Sequence, residues 1–421
     1  MKRRDFLLDS AGLIGACVPV LARAQAQPCP PDVLSVTGGQ TVSTSCAESP
    51  LPSWVPSPGT FANISLNTPS AVDPCPAGSC VYSGTQGQNA VFTVWTSGIY
   101  APELGSYGSY VAWGGGHKAY AGNEVYRFDV SSRVWSRLGT PSPYNDSNVD
   151  SSGAFPDGKP APPHNFQTLG IRSSSHGGGA SGSLIQATNP GANANGDSMS
   201  DAWWQFNLAA STWSKFIDSS SIEPGSLAQK VMVQEPDSHY WWFGNGYIPQ
   251  IARVTQTGVV TKYNITLNST NATSGGVLPG SRIAVLNGPF DYDAAMRLLL
   301  VDLKAVEGGA DTGTATKFAT FTGTPPGGNS GLQWCPILGR FAAMATTTPT
   351  KIYWLTPPAD PWRGTWVWST ETLTPASGTV AQTIPDGIGS YNRFAWCPPI
   401  RSFFWATGRN NPMQAYRPMG T

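Results

Sequence analysis

The chain has 421 residues, a formal net charge of zero at neutral pH, and a charged fraction of 12%, about half of what a soluble domain usually carries. Its 47 glycines, 37 prolines and 16 tryptophans favour a β protein with many turns. The absence of a basic surplus argues against nucleic acid or an anionic membrane as a partner.

The N-terminus has the parts of an export signal in the expected order. Residues 2–7, KRRDFL, resemble the twin-arginine signal of bacteria. An apolar stretch from Ala11 to Ala22 follows, which is too short to span a bilayer, and the small residues up to Ala26 suit a cleavage site. A lipobox ending at Cys17 is the weaker alternative. We therefore expect residues 1–26 to be a signal peptide and the mature protein to be periplasmic or secreted.

Cysteine usage agrees with export. Cys17 lies in the signal, and the six remaining cysteines form an even set, which suggests disulfides in an oxidising compartment. No cysteine and histidine spacing indicates a structural zinc site. The expected pairs are Cys75 with Cys80, which are close in sequence, Cys335 with Cys397, which occupy equivalent places in two repeats, and, by elimination, Cys29 with Cys46.

Two stretches of the chain repeat each other without a gap about eighty residues apart. Asn123–Trp135 (NEVYRFDVSSRVW) aligns with Asp201–Trp213 (DAWWQFNLAASTW). Both alternate apolar and polar residues, turn, and end in tryptophan. An internal repeat of this size indicates a propeller or another repeat array.

A second repeated pattern consists of an apolar run, a proline-containing turn and another apolar run. The turn prolines are about fifty to sixty residues apart, which fits one propeller blade with its loops. We assign these hairpins to the two innermost strands, a and b, of four successive blades. They cover residues 231–243, 283–301, 332–344 and 394–405.

Two further blades precede these hairpins. Blade one would have Ala90–Trp95 as its innermost strand, and blade two Phe166–Ile171. The last hairpin has only Met413–Tyr416 behind it, so we expect the segment from Trp54 to Ile64 to supply the missing strand and close the ring. The predicted fold is an all-β propeller of six, alternatively seven, four-stranded antiparallel blades. Residues 27–85 would carry a disulfide and the closing strand, and residues 86–421 the propeller.

Blade one resembles the kelch motif. The glycine doublet Gly114-Gly115, the following Tyr126 and the later Trp135 carry the resemblance. It implies a kelch-type β-propeller, similar in architecture to the galactose oxidase group. Such propellers include enzymes, binding platforms and scaffolds, so the fold alone does not specify a function.

In such propellers the d–a and b–c loops share one face, and this face contains the first group of candidate site residues. His117, Tyr120 and Asn123 lie in the b–c loop of blade one, and His164 precedes the innermost strand of blade two. Histidine titrates near neutral pH, so His117 and His164 are candidates for proton transfer. His176 and His239 fall in a–b connections and should lie on the opposite face.

Basic residues form the second group of candidates. Lys230, Arg282 and Arg393 each stand shortly before an apolar run, as His164 does, and Arg409 lies in the last b–c loop. A cationic rim would favour an anionic ligand such as a carboxylated or sulfated sugar. The alternative interpretation is that these residues solvate loop ends and pair with acids, of which Asp386, Glu307 and Asp311 are the candidates.

The combination of residue types is similar to that of β-propeller polysaccharide lyases. The resemblance implies His117 or His164 as the base, a rim tyrosine (Tyr120, Tyr247 or Tyr391) as the acid, and Arg282 or Arg393 as a carboxylate clamp. Asn123, Lys230 and Arg409 would complete the substrate site.

The leading hypothesis is therefore an exported protein that acts on an anionic polysaccharide by β-elimination. The alternative is a non-catalytic platform for a glycan or a protein. A copper radical oxidase is remote, since the chain has no Tyr-His dipeptide. We predict a monomer and no cofactor, and the sequence leaves the metal content open.

Overall fold

The computed structural model of the chain describes residues 51–75, 80–82, 84–115, 119–150, 152–187, 202–218, 231–235, 239–243, 251–265, 267, 274–289, 296–327, 330–345, 348–383 and 390–420. The chain divides into two units, Met1–Ser49 and Pro50–Thr421, and every described residue belongs to the second. The expected signal and Cys17, Cys29 and Cys46 lie outside the described residues. Within the described part, no helix is both long and apolar enough to cross a membrane.

The first strand along the chain, β1, belongs to the last blade, and the next twelve strands form blades one to three. Each blade is a four-stranded antiparallel meander. The strands are β1 (Thr60–Asn63); β2 (Ser97–Ala101), β3 (Ser109–Trp113), β4 (Val125–Asp129) and β5 (Val134–Leu138); β6 (Leu169–Arg172), β7 (Ser183–Gln186), β8 (Ala202–Asn207) and β9 (Thr212–Asp218); and β10 (Val231–Gln234), β11 (His239–Phe243), β12 (Ile251–Thr255) and β13 (Val260–Tyr263).

Blades four to six contain the remaining strands, and β18 and β23 are two-residue parallel additions at the edges of blades five and six. Helices are few and short. The strands are β14 (Ser274–Leu278), β15 (Ile283–Pro289), β16 (Met296–Asp302), β17 (Thr316–Phe318), β18 (Phe321–Thr322), β19 (Leu332–Cys335), β20 (Arg340–Ala343), β21 (Lys351–Thr356), β22 (Trp366–Thr372), β23 (Thr374–Pro375), β24 (Phe394–Cys397), β25 (Ser402–Trp405) and β26 (Gln414–Arg417), and the α-helices are α1 (Ala90–Thr93), α2 (Leu303–Glu307) and α3 (Thr312–Ala315).

The six sheets close into a ring. The first strand of each blade is the innermost, and these strands contact one another in the cyclic order β2, β6, β10, β14, β19, β24 and back to β2. The predicted propeller is confirmed, with six blades. Closure depends on β1, which pairs antiparallel with β26, with Thr60 opposite Arg417 and Asn63 opposite Gln414. The expected closing strand therefore joins both ends of the described chain in blade six.

The strand assignment was wrong in two blades. In blade one, Ala90–Thr93 forms α1, and the innermost strand starts only at Ser97; a short buried apolar run does not distinguish helix from strand. In blade four the hairpin of residues 283–301 supplies the second and third strands. Its innermost strand, β14, has a weak apolar pattern because it contains Gly275 and Gly276. A Cβ on either would lie 2.7 Å from a neighbouring side-chain carbon, so crowding near the axis favours glycine there.

Apolar layers hold adjacent blades together. Between blades six and one, Phe404 packs against Tyr110 and Phe128, with ring centroids 6.1 and 5.8 Å apart. Between blades one and two, the rings of Trp113 and Trp213 are 4.5 Å apart. Large aromatic side chains contribute much of the burial that stabilises such layers. The packed blades in turn fix the positions of the loops at either end.

The cysteine predictions had mixed outcomes. Cys75 and Cys80 form the expected disulfide. Cys335 and Cys397 are both free and buried, so their predicted pairing was wrong. They do end equivalent strands, β19 and β24, but equivalent positions in successive blades point the same way around the ring. Cys335 therefore packs between blades five and six, and Cys397 between blades six and one.

We expect both thiols to resist modification in the native protein. Burial raises the pKa of Cys335 to about 11, and burial likewise raises the pKa of Cys397, so little reactive thiolate exists at pH 8. Peptide mapping after treatment with iodoacetamide should find both unmodified in native protein and both modified in denaturant without reductant. Protection that persists in denaturant would instead indicate a disulfide.

Candidate functional site

One face of the propeller carries the connections that lead into the innermost strands. In a four-stranded meander these connections and those between the second and third strands lie at the same end of the blade. We call this the entry face. The strands that begin there start at Ser97, Leu169, Val231, Ser274, Leu332 and Phe394.

Polar groups around the starts of the innermost strands hydrogen-bond across blade boundaries on this face, and we call this set the polar belt. Its links run from blade one around to blade six and end on α1, which precedes the innermost strand of blade one, and all of its side chains are buried. Its members are Ser97, Asn165, Gln167, Ser274, Ser330, Ser390 and Arg393.

Two amides make the first half of the belt. Asn165 joins blades one and two, because its Oδ1 accepts from the N–H of Ser97 at 2.7 Å. The carbonyl of Gln167 accepts from the N–H of Met232 in blade three at 2.8 Å. Its side-chain amide makes two bonds to the main chain of Gly275 in blade four, at 2.5 and 3.0 Å. Gln167 thus joins three of the six innermost strands at this end.

Hydroxyl groups make much of the second half. Ser274 Oγ donates to the carbonyl of Ser330 at 2.6 Å, between blades four and five. Ser390 Oγ accepts from the N–H of Gly331 at 2.8 Å, between blades five and six. Main-chain groups that the strand ladders leave unpaired are satisfied in this way, as buried polar groups require.

Arg393 completes the belt between blades six and one. Its side chain is fully buried, and Nη1 donates to the carbonyl of Phe92 in α1. Burial lowers the pKa of Arg393 to about 10, so the guanidinium stays charged at neutral pH. The sequence placed Arg393 on an exposed rim, and the structure places it inside the wall of the ring.

Three half-buried aromatic side chains lie on the solvent side of the belt, and we call them the aromatic platform: Trp95, His164 and Phe166. The ring centroids of Trp95 and His164 are 5.0 Å apart, and those of His164 and Phe166 are 6.1 Å apart. In residues 164–167 these outward rings alternate with the buried amides of Asn165 and Gln167. The amides therefore anchor the segment that presents the rings.

The backbone of the platform is strained. Trp95 and Phe166 both have φ of +39°, and Tyr391, whose buried ring lies 5.7 Å from that of Phe166, has φ of +37°. Positive φ is rare for bulky residues and costs about 1–3 kcal/mol each. Three strained aromatic residues therefore stand at the starts of three innermost strands, which makes this part of the entry face the candidate site.

Arg282 lies on the opposite face, in the hairpin between β14 and β15, because the strand before it is the innermost one. Its guanidinium bonds Glu235 at 2.8 Å and Glu307 at 2.7 Å. These bonds hold the pKa of Glu307 down to about 2. The pairing with Glu307 supports the alternative interpretation of this arginine. His176 and His239 lie on the same opposite face, as the sequence indicated.

Arg409 and Asn123 are also engaged in local structure. Arg409 forms an ion pair with Asp73 in the segment that follows β1. The buried amide of Asn123 accepts from the N–H of Ser142 at 2.8 Å and donates to the carbonyl of Pro160 at 3.0 Å. Asn123 therefore holds the long connection from blade one to blade two in place.

Tyr120 is fully buried, and its hydroxyl donates to Glu124 Oε1 at 2.6 Å. Burial raises the pKa of Tyr120, and the neighbouring Glu124 raises it further. In this conformation the hydroxyl does not face solvent, where a polymer would meet it.

Glu124 should make stability fall as pH rises. Burial raises the pKa of its carboxyl above the usual 4.5, so the folded protein holds this proton to higher pH than the unfolded chain does. The contribution of the protonated acid is thus lost as pH climbs from 4.5 through the folded pKa. The variant Glu124→Gln keeps the shape and cannot ionise, so relative to the wild type it should gain stability between pH 4 and pH 8 in urea unfolding. An equal difference at both pH values would contradict this.

The remaining candidates, His117, Lys230 and Tyr247, lie outside the described residues. The chain just before His117 lies next to the platform, since the N–H of Gly115 donates to the carbonyl of Pro163, the neighbour of His164, at 3.2 Å. Within the described part of the chain, no cluster of three or more histidine, cysteine, aspartate or glutamate side chains could hold a metal ion.

Sequence reasoning missed Trp95 and Phe166 and misjudged the belt. The signal was the series of polar residues just before the innermost strands, which was interpreted as a cationic rim. Most of the belt is uncharged, and its serines and amides are common enough in any chain to escape notice. The alternation of His164, Asn165, Phe166 and Gln167 was a further signal of a segment with one buried side.

The similarities that this chain shows to known proteins are to solved structures. No protein-family model and no curated protein matches the chain. The allergen Mala s 1 of Malassezia sympodialis is 10% identical, with a TM-score of 0.45, over 80% of this chain and 96% of that one. An auxiliary nutrient binding protein of Bacteroides ovatus is 11% identical, with a TM-score of 0.44, over 80% and 75%.

Hydrazine synthase of Kuenenia stuttgartiensis is 9% identical, with a TM-score of 0.43, over 82% of this chain and 99% of that one. Similarities this distant leave the ligand of this chain to be argued from its own residues.

Proposed function

We propose that the protein is an exported glycan-binding platform whose ligand site is the aromatic platform on the entry face. The observation that carries the proposal is the half-buried group of Trp95, His164 and Phe166 above a buried belt, with a strained backbone at Trp95 and Phe166. Aromatic rings stack on the apolar faces of sugar rings, and the ring of His164 lies between those of Trp95 and Phe166. Anchoring by the belt reduces the entropy lost on binding.

Export and the kelch assignment belong to the same proposal. The N-terminal pattern of residues 1–26 supports export, and the Cys75–Cys80 disulfide fits an oxidising compartment. For the kelch type, Gly114 and Gly115 have φ of +125° and +128° in blade one, and the side chain of Trp135 is buried there.

β-Elimination on a uronate is the second candidate, and the position of His164 favours it. The imidazole of His164 is half-buried on the entry face with its Nε2 covered, so Nδ1 is the atom that would take a proton from a bound sugar. The clamp and the acid have less support among the described residues, because Arg393 and Tyr120 are buried and Arg282 lies on the opposite face. The binding platform is therefore the function that the geometry supports best.

The test is a binding panel followed by a turnover assay. Wild-type protein should bind at least one bacterial or plant polysaccharide in isothermal titration. The variant Trp95→Ala should bind weakly, and Trp362→Ala, which removes a half-buried tryptophan on the opposite face, should bind normally. Absence of binding to every glycan in the panel would overturn the platform.

Turnover separates the two candidates. A lyase releases unsaturated sugars that absorb in the ultraviolet, and His164→Ala should abolish that signal while binding persists. Binding by the wild type without any unsaturated product from uronate polymers would reject β-elimination and leave the binding platform.

A further inference from the structure

We propose that the platform takes an extended, uncharged stretch of glycan laid across the entry face, and that no sugar enters the propeller axis. This inference rests on the proposed function and specifies its ligand. It follows from three features of the described residues, namely the floor of the site, the spread of the rings and the state of the arginines.

The polar belt closes the floor of the site. Gln167 is buried and joins blades two, three and four at the entry-face end of their innermost strands. The serines and Arg393 continue the same layer around the other half of the ring. Most of the belt side chains bond main-chain groups of their own or a neighbouring blade, so a sugar that displaced them would leave buried polar groups unpaired. The ligand therefore gains most by staying on the solvent side.

The rings cross a blade boundary. Trp95 precedes the innermost strand of blade one, and His164 and Phe166 precede that of blade two. The centroids are 5.0 and 6.1 Å apart, with the rings of Trp95 and His164 inclined by 46° and those of His164 and Phe166 nearly perpendicular at 81°. One sugar unit covers one aromatic face, so rings whose faces differ in direction suit separate units of a chain more than a single sugar.

The arginines predicted for this face do not serve a charged ligand. Arg393 is buried in the belt, Arg409 is paired with Asp73, and Arg282 lies on the opposite face in a pair with Glu307. A carboxylate or sulfate brought to the platform would lose water without gaining a guanidinium partner from these three, which costs free energy. Neutral sugars carry no such penalty.

The experiment measures affinity against chain length. Linear β-1,4-linked gluco-, manno- and xylo-oligosaccharides of one to six units are titrated into the full-length protein, together with oligogalacturonates of the same lengths. For the neutral series that binds, affinity should rise about tenfold for each added ring contact and then level off by four units. Trp95→Ala should flatten that rise, whereas the control Trp362→Ala should leave it unchanged.

Each of three other results would reject one part of the proposal. A single sugar that binds as tightly as a tetrasaccharide rejects the extended mode while the glycan platform stands. Oligogalacturonates that bind more tightly than every neutral series reject the uncharged class. No binding to any oligosaccharide or to the polysaccharide panel rejects the platform itself and this inference with it.

Discussion

Replacement of Arg393 by alanine should lower the free energy of unfolding by about 3–5 kcal/mol. The change opens a cavity in the wall between blades six and one and leaves the carbonyl of Phe92 without its charged donor. Arg393→Met fills most of the volume and also removes a costly buried charge, so it should recover much of the loss. Urea unfolding of the wild type and both variants measures the difference.

The same pair of variants decides between two roles for this residue. A solvent-exposed clamp for an anionic sugar would lose affinity in both variants and leave the unfolding midpoint unchanged. If Arg393 belongs to the belt, the effects are reversed. Arg393→Ala then loses much stability, and Arg393→Met keeps near-normal glycan affinity. An unchanged stability in Arg393→Ala would remove Arg393 from the belt.

Removal of both platform rings, in the double variant Trp95→Ala and Phe166→Ala, should weaken glycan binding by about 2 kcal/mol or more, roughly 30-fold. The side chains are half-exposed, so we expect the unfolding midpoint to move much less than for Arg393→Ala. Isothermal titration and thermal unfolding of the same samples provide both numbers, with Trp362→Ala as the matched control.

The variant Phe166→Gly tests the same site in a different way, because it removes both the ring that would contact the glycan and the backbone strain at this position. Glycine adopts the φ of +39° at Phe166 without the penalty that a side chain incurs. Phe166→Gly should therefore lose affinity as Phe166→Ala does, yet unfold at no lower temperature than the alanine variant. If Phe166→Gly kept normal affinity, or if Phe166→Ala were the more stable of the two, the strain would have no connection with binding.

The strands could be predicted from the sequence where apolar and polar residues alternate along the whole strand. Blades two, three and five were assigned within a few residues, and the closing segment that contains Thr60–Asn63 was recognised because the last hairpin lacked a fourth strand. Blade four failed, since the glycines of β14 carry no apolar signal. Gly276 lets Phe341 of blade five approach closely and Gly275 lets Leu286 of its own blade do so, and the sequence does not record that crowding.

The candidate site was predictable only in its location. The loops that carry His164 and Arg393 do meet on one face, as the propeller topology requires. Their side chains differ in direction, since His164 is half-exposed and Arg393 is buried. A one-residue shift reverses the direction of a side chain in an extended segment, and loop lengths before the innermost strands differ too much for the phase to be inferred from spacing.

The residue pattern alone predicted a propeller of antiparallel four-stranded blades and the pairing of Cys75 with Cys80, because alternation, turns and short loop closure act between residues close in sequence, while the choice of six blades over seven came from the structure. Only the tertiary structure decided that Arg393 belongs to a belt, that Arg282 lies on the opposite face, and that Cys335 and Cys397 occupy separate layers. Each of these depends on which neighbouring blade a side chain meets when the ring closes, and those neighbours are distant in the sequence.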